Sequence, residues 1–538
     1  MPSQEFDYII VGAGAAGCVL ASRLSAERRY TVLLLEAGGS DRSPWIQVPI
    51  GYGRTFTDPQ FNWLYRVQPD PGLADRPSVW PRGKVLGGSS SINAMVYLRG
   101  HRGDFDAWQA AGNPGWSYAD VLPYFRKSED SAAGASPYHG AGGPLHISDP
   151  SSLVHPLCQQ FVSSCAEVGI AANPDFNGAE MSGAGVWPMT IRHGVRVSAA
   201  NAYLRPAMRR QNLTVITHAL VRRLTFQGLR ARGVEFSRRG EQRTVTARRE
   251  VIVSGGAINS PQLLQLSGIG DEVLLRRFGI PVLRHAPAVG QGLQDHLGIS
   301  YFYRSRVPTL NNELYSLTGK IRAVLRYALT RRGPLGMSVN QAGAFARTRA
   351  GLERPDMQLY FNPISYTTAT GPKRRLLQPD PFPGFHTGFN SCRPTSRGSV
   401  TIVSPDPAVA PAIRANSLAT PEDIQNVIEG AQLLRRIAAA RPLADFVAAE
   451  LQPGAALQSA EQLLEDFRQR AGSVFHASCT CAMGREPERS VVNHRLQVHG
   501  VAALRVVDAS IFPNITSANT HAPTIMVAEK AADLILQA

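Results

Sequence analysis

Phe6-Asp-Tyr-Ile-Ile-Val11 runs without a break into Gly12-Ala-Gly14-Ala-Ala16-Gly17, and a second apolar run, Thr31-Val-Leu-Leu-Leu35, ends on Glu36. The order strand, glycine turn, helix, strand, acid predicts a parallel βαβ unit that binds a dinucleotide, which makes the fold class α/β. Each part has a physical task. Gly12 permits the tight turn, Gly14 lets the backbone approach a pyrophosphate, and Gly17 lets helix and strand pack closely. The helix start offers unpaired N–H groups and a positive dipole end to phosphate. Glu36, nineteen positions beyond Gly17, is placed to accept hydrogen bonds from ribose hydroxyls. The unit by itself does not distinguish NAD from FAD.

At 538 residues the chain exceeds what one hydrophobic core usually serves, so two domains or one large composite are expected. Hydrophobic residues at 43% and charged residues at 18% fit a folded globular chain and exclude a disordered one. No apolar run reaches the roughly 18 residues of a membrane span. The first strand begins too early for the basic and apolar regions of a signal peptide, and a cytoplasmic location is the expectation. A net charge of +15 raises nucleic acid or an anionic membrane as partners. Only five of the 56 basic residues are lysine and the arginines are scattered, which argues for a dispersed basic surface and no nucleic-acid partner. Loose peripheral contact with an acidic membrane face stays open.

Of six cysteines, Cys479 and Cys481 form the one close pair, with no second pair to complete a zinc site; no metal and reduced, buried thiols are expected. Cys158 and Cys165 fall in an expected helix. Glu250-Val-Ile-Val253 reads as a buried strand. Thr420-Pro-Glu-Asp423 opens a helix with a capping hydroxyl, a first-turn proline and acids facing the dipole, and Ile424, Val427, Ile428, Ala431 and Leu434 mark its apolar face. Ser459-Ala-Glu-Gln462 reads as a capping box. Residues 366–398, rich in Pro, Gly, Arg and Thr, are expected to contain long loops.

Three further stretches are more informative. They are Pro81-Arg-Gly-Lys-Val85-Leu-Gly-Gly88-Ser-Ser-Ser-Ile92-Asn93-Ala94-Met95-Val96-Tyr97, the Gly256–Gly270 segment, and Val506-Val-Asp508-Ala509 followed by Asn519-Thr520-His521. Glycine and serine runs let a backbone approach a flat ring or a phosphate closely. With these stretches in place the sequence resembles the glucose–methanol–choline oxidoreductases, a family of FAD enzymes. Gly83–Asp106 and Gly256–Gly270 follow its two characteristic patterns, and Val289-Gly-Gln-Gly-Leu-Gln-Asp-His296 and His476-Ala-Ser-Cys-Thr-Cys-Ala-Met-Gly484 are similar to it as well. The likeness covers almost the whole chain. Within the family it is nearest the bacterial branch of choline dehydrogenase-like alcohol dehydrogenases and L-sorbose dehydrogenase.

The resemblance implies a Rossmann-like FAD-binding domain from residues 5–150, 195–300 and 490–538, and an α+β substrate-binding cap from 151–194 and 301–489. It implies that Val85, Gly88 and the Asn93–Val96 backbone line the pyrophosphate and isoalloxazine. The main chain of Val221 would meet adenine, and Asp508 and Ala509 would reach the diphosphate and ribityl region. Ala16, Ala37, Phe475, Thr520 and His521 are further cofactor positions. Some members attach FAD through a histidine directly before the motif's asparagine; Ile92 stands there and cannot form that bond, so dissociable FAD is expected.

Oxidising an alcohol by hydride transfer to flavin N5 requires a base for the hydroxyl proton, and near neutral pH that base is usually histidine. Among thirteen histidines the resemblance favours His476 as proton acceptor, with Asn519 as the partner that hydrogen-bonds the substrate oxygen. His521, where related bacterial members often carry asparagine, could contact the flavin, tune the base or replace it. The implied activity is an FAD-dependent alcohol dehydrogenase that makes an aldehyde or ketone and passes electrons to a quinone, dye or protein acceptor. An oxidase using O₂, and a lyase of the same fold, are the alternatives. Nothing in the sequence separates sugar, choline, aliphatic and aryl alcohols.

Overall fold

Two seven-stranded sheets carry the chain, and the computed structural model describes residues 4–368 and 378–537. The first sheet contains β1 (Gln4–Val11), β2 (Val32–Leu35), β4 (Leu213–Ile216), β5 (Ala219–Gln227), β6 (Arg230–Arg238), β7 (Glu241–Val253) and β14 (Leu504–Val506). Its order is β4-β2-β1-β7-β6-β5, with β14 also on β7. β1, β2, β4 and β14 are parallel to their neighbours, whereas β5 and β6 add an antiparallel extension. Ile9, Ile10, Val32–Leu35 and Val251–Val253 are almost completely buried, as a sheet covered on both faces requires. Helices α1 (Ala15–Leu24) and α7 (His521–Leu536) pack against each other in the same core. Arg505 of β14 forms a two-pronged ion pair with Glu250 of β7 at 2.6 and 3.0 Å, which fastens the last strand in register.

The second sheet is antiparallel, in the order β12-β8-β11-β10-β9-β3, with β13 (Gly472–Ser473) also on β8. Its strands are β3 (Gly183–Val186), β8 (Leu297–Ser305), β9 (Ala342–Ala346), β10 (Met357–Asn362), β11 (Gly384–Ser391) and β12 (Val447–Gln452). Side chains alternate strictly. Ile299, Tyr301, Met357, Leu359, Phe361, Phe385 and Phe389 face a core shared with α2 (Leu157–Glu167), α5 (Pro421–Ala439) and α6 (Ala460–Arg470). Ser300, Gln358, Tyr360, Asn362, His386 and Asn390 face the other way, into a cavity. Gly388 belongs to that second face, and any side chain there would strike the Tyr360 ring.

Thr420 and Ser459 cap α5 and α6 as their residue patterns predict, the latter in a full capping box. Within 366–398, residues 366–368, 378–383 and 392–397 lie in loops as expected, whereas 384–391 form β11, all eight residues buried, in the interior of the sheet; 369–377 lie outside the described residues. The strand's alternation is sparse, with only Phe385 and Phe389 as apolar marks, and Gly384, Thr387 and Gly388 match loop composition. All six cysteines are buried free thiols. Among the described residues no helix is long and apolar enough to cross a membrane, and no group of three or more His, Cys, Asp or Glu could hold a metal ion.

Candidate active site

The polar face of the second sheet and the parallel edge of the first enclose a cavity of about 590 Å³. Two loops cross at its centre. Gly12 has φ +98°, and a Cβ there would sit 2.5 Å from the Ser254 carbonyl oxygen. Gly88, at φ +53°, lies so close over the first turn that its Cβ would be 2.7 Å from the Gly14 Cα. Both positions therefore require glycine. The N-termini of α1, of α3 (Gly256–Leu266) and of α7 all open onto the cavity, which concentrates unpaired N–H groups and positive dipole ends along one wall.

Gly12, Gly14, Ala16, Glu36, Ala37, Gly88, Asn93–Val96, Val221, Phe475, His476, Asp508, Ala509, Asn519, Thr520 and His521 all line this space. Two expected residues do not. Gly17 lies beneath the turn, where a side chain would run into the Gly12 carbonyl; its role is packing alone. Val85 is fully buried in a small cluster with Ile46, Phe61 and Ile92, because the chain turns at Gly87 and only then presents Gly88 to the cavity. Glu36 accepts the N–H groups of Ala13 and Gly38, each at 2.8 Å, and each of its oxygens keeps a second lone pair. Burial pushes its carboxyl up to about 7 against those two bonds. Asp508 accepts from Gly256 N–H, Ser510 N–H and the Ser260 hydroxyl, so it ties the start of α3 to the 508–510 turn.

At the other end two imidazoles are joined. His296 Nε2 lies 3.0 Å from the Cys392 carbonyl oxygen, and its Nδ1 lies 2.9 Å from Nδ1 of His476. A carbonyl only accepts, so the His296 proton sits on Nε2 and its Nδ1 is the acceptor. His476 must then donate from Nδ1, which leaves the lone pair on Nε2. That nitrogen is 3.0 Å from the Asn519 amide nitrogen, a donor, and the Asn519 oxygen faces the Gln358 amide at 3.4 Å, in agreement with this orientation. Burial holds His476 well below the usual histidine range, and His296 and Arg82 act in the same direction. His296 is held down near 4, again by burial.

The loop that carries His476 is tied from behind. Asp295 accepts the His476 N–H at 2.6 Å and the Ser473 hydroxyl, and Arg82 donates to the Phe475 carbonyl at 2.6 Å. Phe475 itself is held at φ +70°. Burial lifts the Asp295 carboxyl to about 6, opposed chiefly by Arg82. These supports, and the cavity-facing residues of the second sheet, were not assigned roles from the sequence. The signal was present in the Gln294-Asp-His296 triplet: Asp295 and His296 serve the His476 loop, and the Gln294 side chain bonds the Pro394 carbonyl and the Ile515 N–H. His521 lines the cavity with both ring nitrogens unpartnered, held near 4 by burial and Arg196. It lacks the proton-orienting bond that His476 has.

A glycine-turn dinucleotide cradle that leads to an oriented neutral imidazole defines a nucleotide-cofactor oxidoreductase. The chain belongs to the GMC oxidoreductase family, whose N-terminal model matches residues 6–298 and C-terminal model residues 394–528. It is 42% identical to mitochondrial choline dehydrogenase of Mus musculus over 99% of this chain and 89% of that protein. It is 40% identical to an alcohol dehydrogenase [acceptor] of Pseudomonas putida, over 99% and 96%. Among solved structures it superimposes on pyridoxine 4-oxidase from Mesorbium loti with a TM-score of 0.88 at 32% identity, covering 98% of each chain. A formate oxidase of Aspergillus oryzae RIB40 gives 0.92 at 27%, covering 100% of this chain and 99% of that one. The protein is thus an FAD oxidoreductase that acts on alcohols, and its own residues fit the cofactor. The open space over Gly14 leaves room for a diphosphate, and the two unpartnered His521 nitrogens and the unpartnered Arg82 Nη2 await a polar ligand.

Proposed function

We propose that the protein is an FAD-dependent alcohol dehydrogenase in which His476 accepts the hydroxyl proton and Asn519 holds the substrate oxygen. The observation that carries this reading is the chain Cys392 carbonyl, His296, His476, Asn519, which leaves the lone pair of His476 Nε2 beside the one amide donor positioned to share an oxygen with it. An alcohol oxygen that displaces the direct bond between them accepts from the Asn519 amide and donates to His476 Nε2. As the O–H proton moves to Nε2, the C–H hydrogen leaves with both bond electrons and the carbon becomes a carbonyl. FAD, when bound, supplies the hydride acceptor. Ile92 gives no covalent anchor at the position noted above, so the cofactor is dissociable.

The second sheet places aromatic rings and neutral amides around this pair. Among the described residues the only carboxylates on the cavity are Glu36 and Asp508, beside the glycine turn and the start of α3. That lining favours a neutral alcohol over a quaternary ammonium substrate, which would need the aromatic faces alone to hold its charge. Electrons leave to a quinone or another acceptor. An oxidase reading is supported by the likeness to pyridoxine 4-oxidase. The test is an anaerobic panel of alcohols scored by bleaching of the bound flavin, followed by admission of air. Bleaching by neutral alcohols with slow reoxidation and fast turnover with an artificial acceptor is expected. Rapid reoxidation with peroxide would make the protein an oxidase, and no bleaching by any alcohol would remove the reading.

A further inference from the structure

Helix α4 (Leu317–Thr330) carries its apolar stripe on the outside. Only Ala323 and Tyr327 are buried. Leu317, Ile321, Val324, Leu325 and Leu329 recur at spacings of three and four on the opposite face, from 50% exposed at Ile321 to 84% at Leu329. With the neighbouring Tyr315 they make six of the fourteen large hydrophobic side chains exposed among the described residues, so this is a cluster and not the usual scatter. Cations border it on both sides: Lys320 and Arg331 along one edge, Arg322 and Arg326 along the other, with Arg332 just beyond. The helix contains no acid; the nearest before it is Glu313.

We propose that this face docks on an anionic lipid surface, with the five aliphatic side chains in the headgroup–acyl boundary and the flanking cations against lipid phosphates. Charge decides the occupant. A second copy laid on the stripe would bring two acid-free cationic borders together, whereas an anionic bilayer satisfies the apolar and the charged parts at once. The inner side of the helix adds a consequence. Ala323 belongs to the same hydrophobic cluster as Tyr52, Met95 and Val339, which line the cavity, so docking would set lipid against the outer side of the cluster that walls the reaction site. An acceptor dissolved in the bilayer would then be within reach of the enzyme. The proposal goes beyond the reaction above, and its test reads binding instead of turnover.

The test is flotation of the FAD-loaded protein with phosphatidylcholine vesicles, with or without about one third phosphatidylglycerol, at about 0.1 M salt. Wild type should partition at least about tenfold more onto the anionic vesicles. Leu325→Glu/Leu329→Glu and Arg322→Glu/Arg326→Glu alter only exposed positions, so turnover with a soluble dye should be unchanged while each pair loses at least about tenfold in binding. Wild type that stays behind with anionic vesicles, or variants that float as well as wild type, would overturn the proposal. So would a wild-type dimer in sedimentation velocity that Leu325→Glu/Leu329→Glu separates without any flotation, because the face would then belong to a second copy.

Discussion

In the proposed reaction His296 would act through a single hydrogen bond to His476, as a positioning residue whose contribution can be isolated. His296→Leu removes the acceptor for His476 Nδ1–H, so the ring is free to carry its proton on Nε2, where it cannot take another. Turnover should fall about 10²-fold or more with flavin content unchanged. His296→Gln still offers a carbonyl oxygen and should recover most of that loss; an equal loss in both variants would mean packing alone. His476→Ala should lower turnover by about 10²–10⁴ while FAD stays bound, and a residual rate above about a tenth of wild type would take the base role from it. His296 also links stability to pH. Its folded pKa, near 4, lies below the ordinary 6.5, so an unfolded chain takes up the proton first. Its preference for the folded state is therefore complete above pH 6.5 and lost as pH falls toward 4. Between pH 7.5 and pH 5 this group should cost about 1–2 kcal/mol, and His296→Gln should show a correspondingly smaller drop in denaturation free energy.

At the level of elements, β11 has one duty on each face. Phe385 and Phe389 bury themselves against the helical layer, while His386, Gly388 and Asn390 shape the floor of the cavity. Gly388→Ala should drive the Tyr360 ring from its place and raise KM several-fold while flavin content stays full; steady-state kinetics beside the flavin absorbance separates the two effects. How legible an element is in the sequence follows from the same division of labour. The β1-α1-β2 unit could be read because its side chains answer only to the core and its glycines only to a close approach. Helices α5 and α6 announced themselves through Thr420 and Ser459. β11 did not, because Gly384, Thr387 and Gly388 leave only Phe385 and Phe389 to mark its alternation and match the composition of a loop. Val85 misled for the converse reason: a glycine-rich loop fixes where backbone comes near a ligand, not which of its side chains turns away from it.

For the molecule as a whole, the cavity is walled by both sheets, so the cofactor should hold them together. Adding FAD at about a hundredfold over its Kd should stabilise the folded protein by about 2.7 kcal/mol, seen as an unfolding midpoint that rises with FAD concentration. Acid precipitation should leave a yellow supernatant and a colourless pellet; flavin retained on the polypeptide would contradict a dissociable cofactor. Asn519 and His476, foreseen as partners, meet only because residues 43 positions apart close over the same space, and His296 reaches His476 across 180 positions. No local pattern encodes such pairings: the Gln294-Asp-His296 triplet could mark these residues in the sequence, but only the folded chain sets His296 against His476. The pair between Arg505 and Glu250 joins residues 255 positions apart and carries a related consequence for biosynthesis. A ribosome must have released the segment beyond position 504 from its exit tunnel before the parallel sheet can acquire β14, and the start of α7 brings Thr520 and His521 to the cavity only after that. The compartment for the coenzyme is therefore complete only after that segment has emerged, and a nascent polypeptide stalled upstream of it lacks part of the wall.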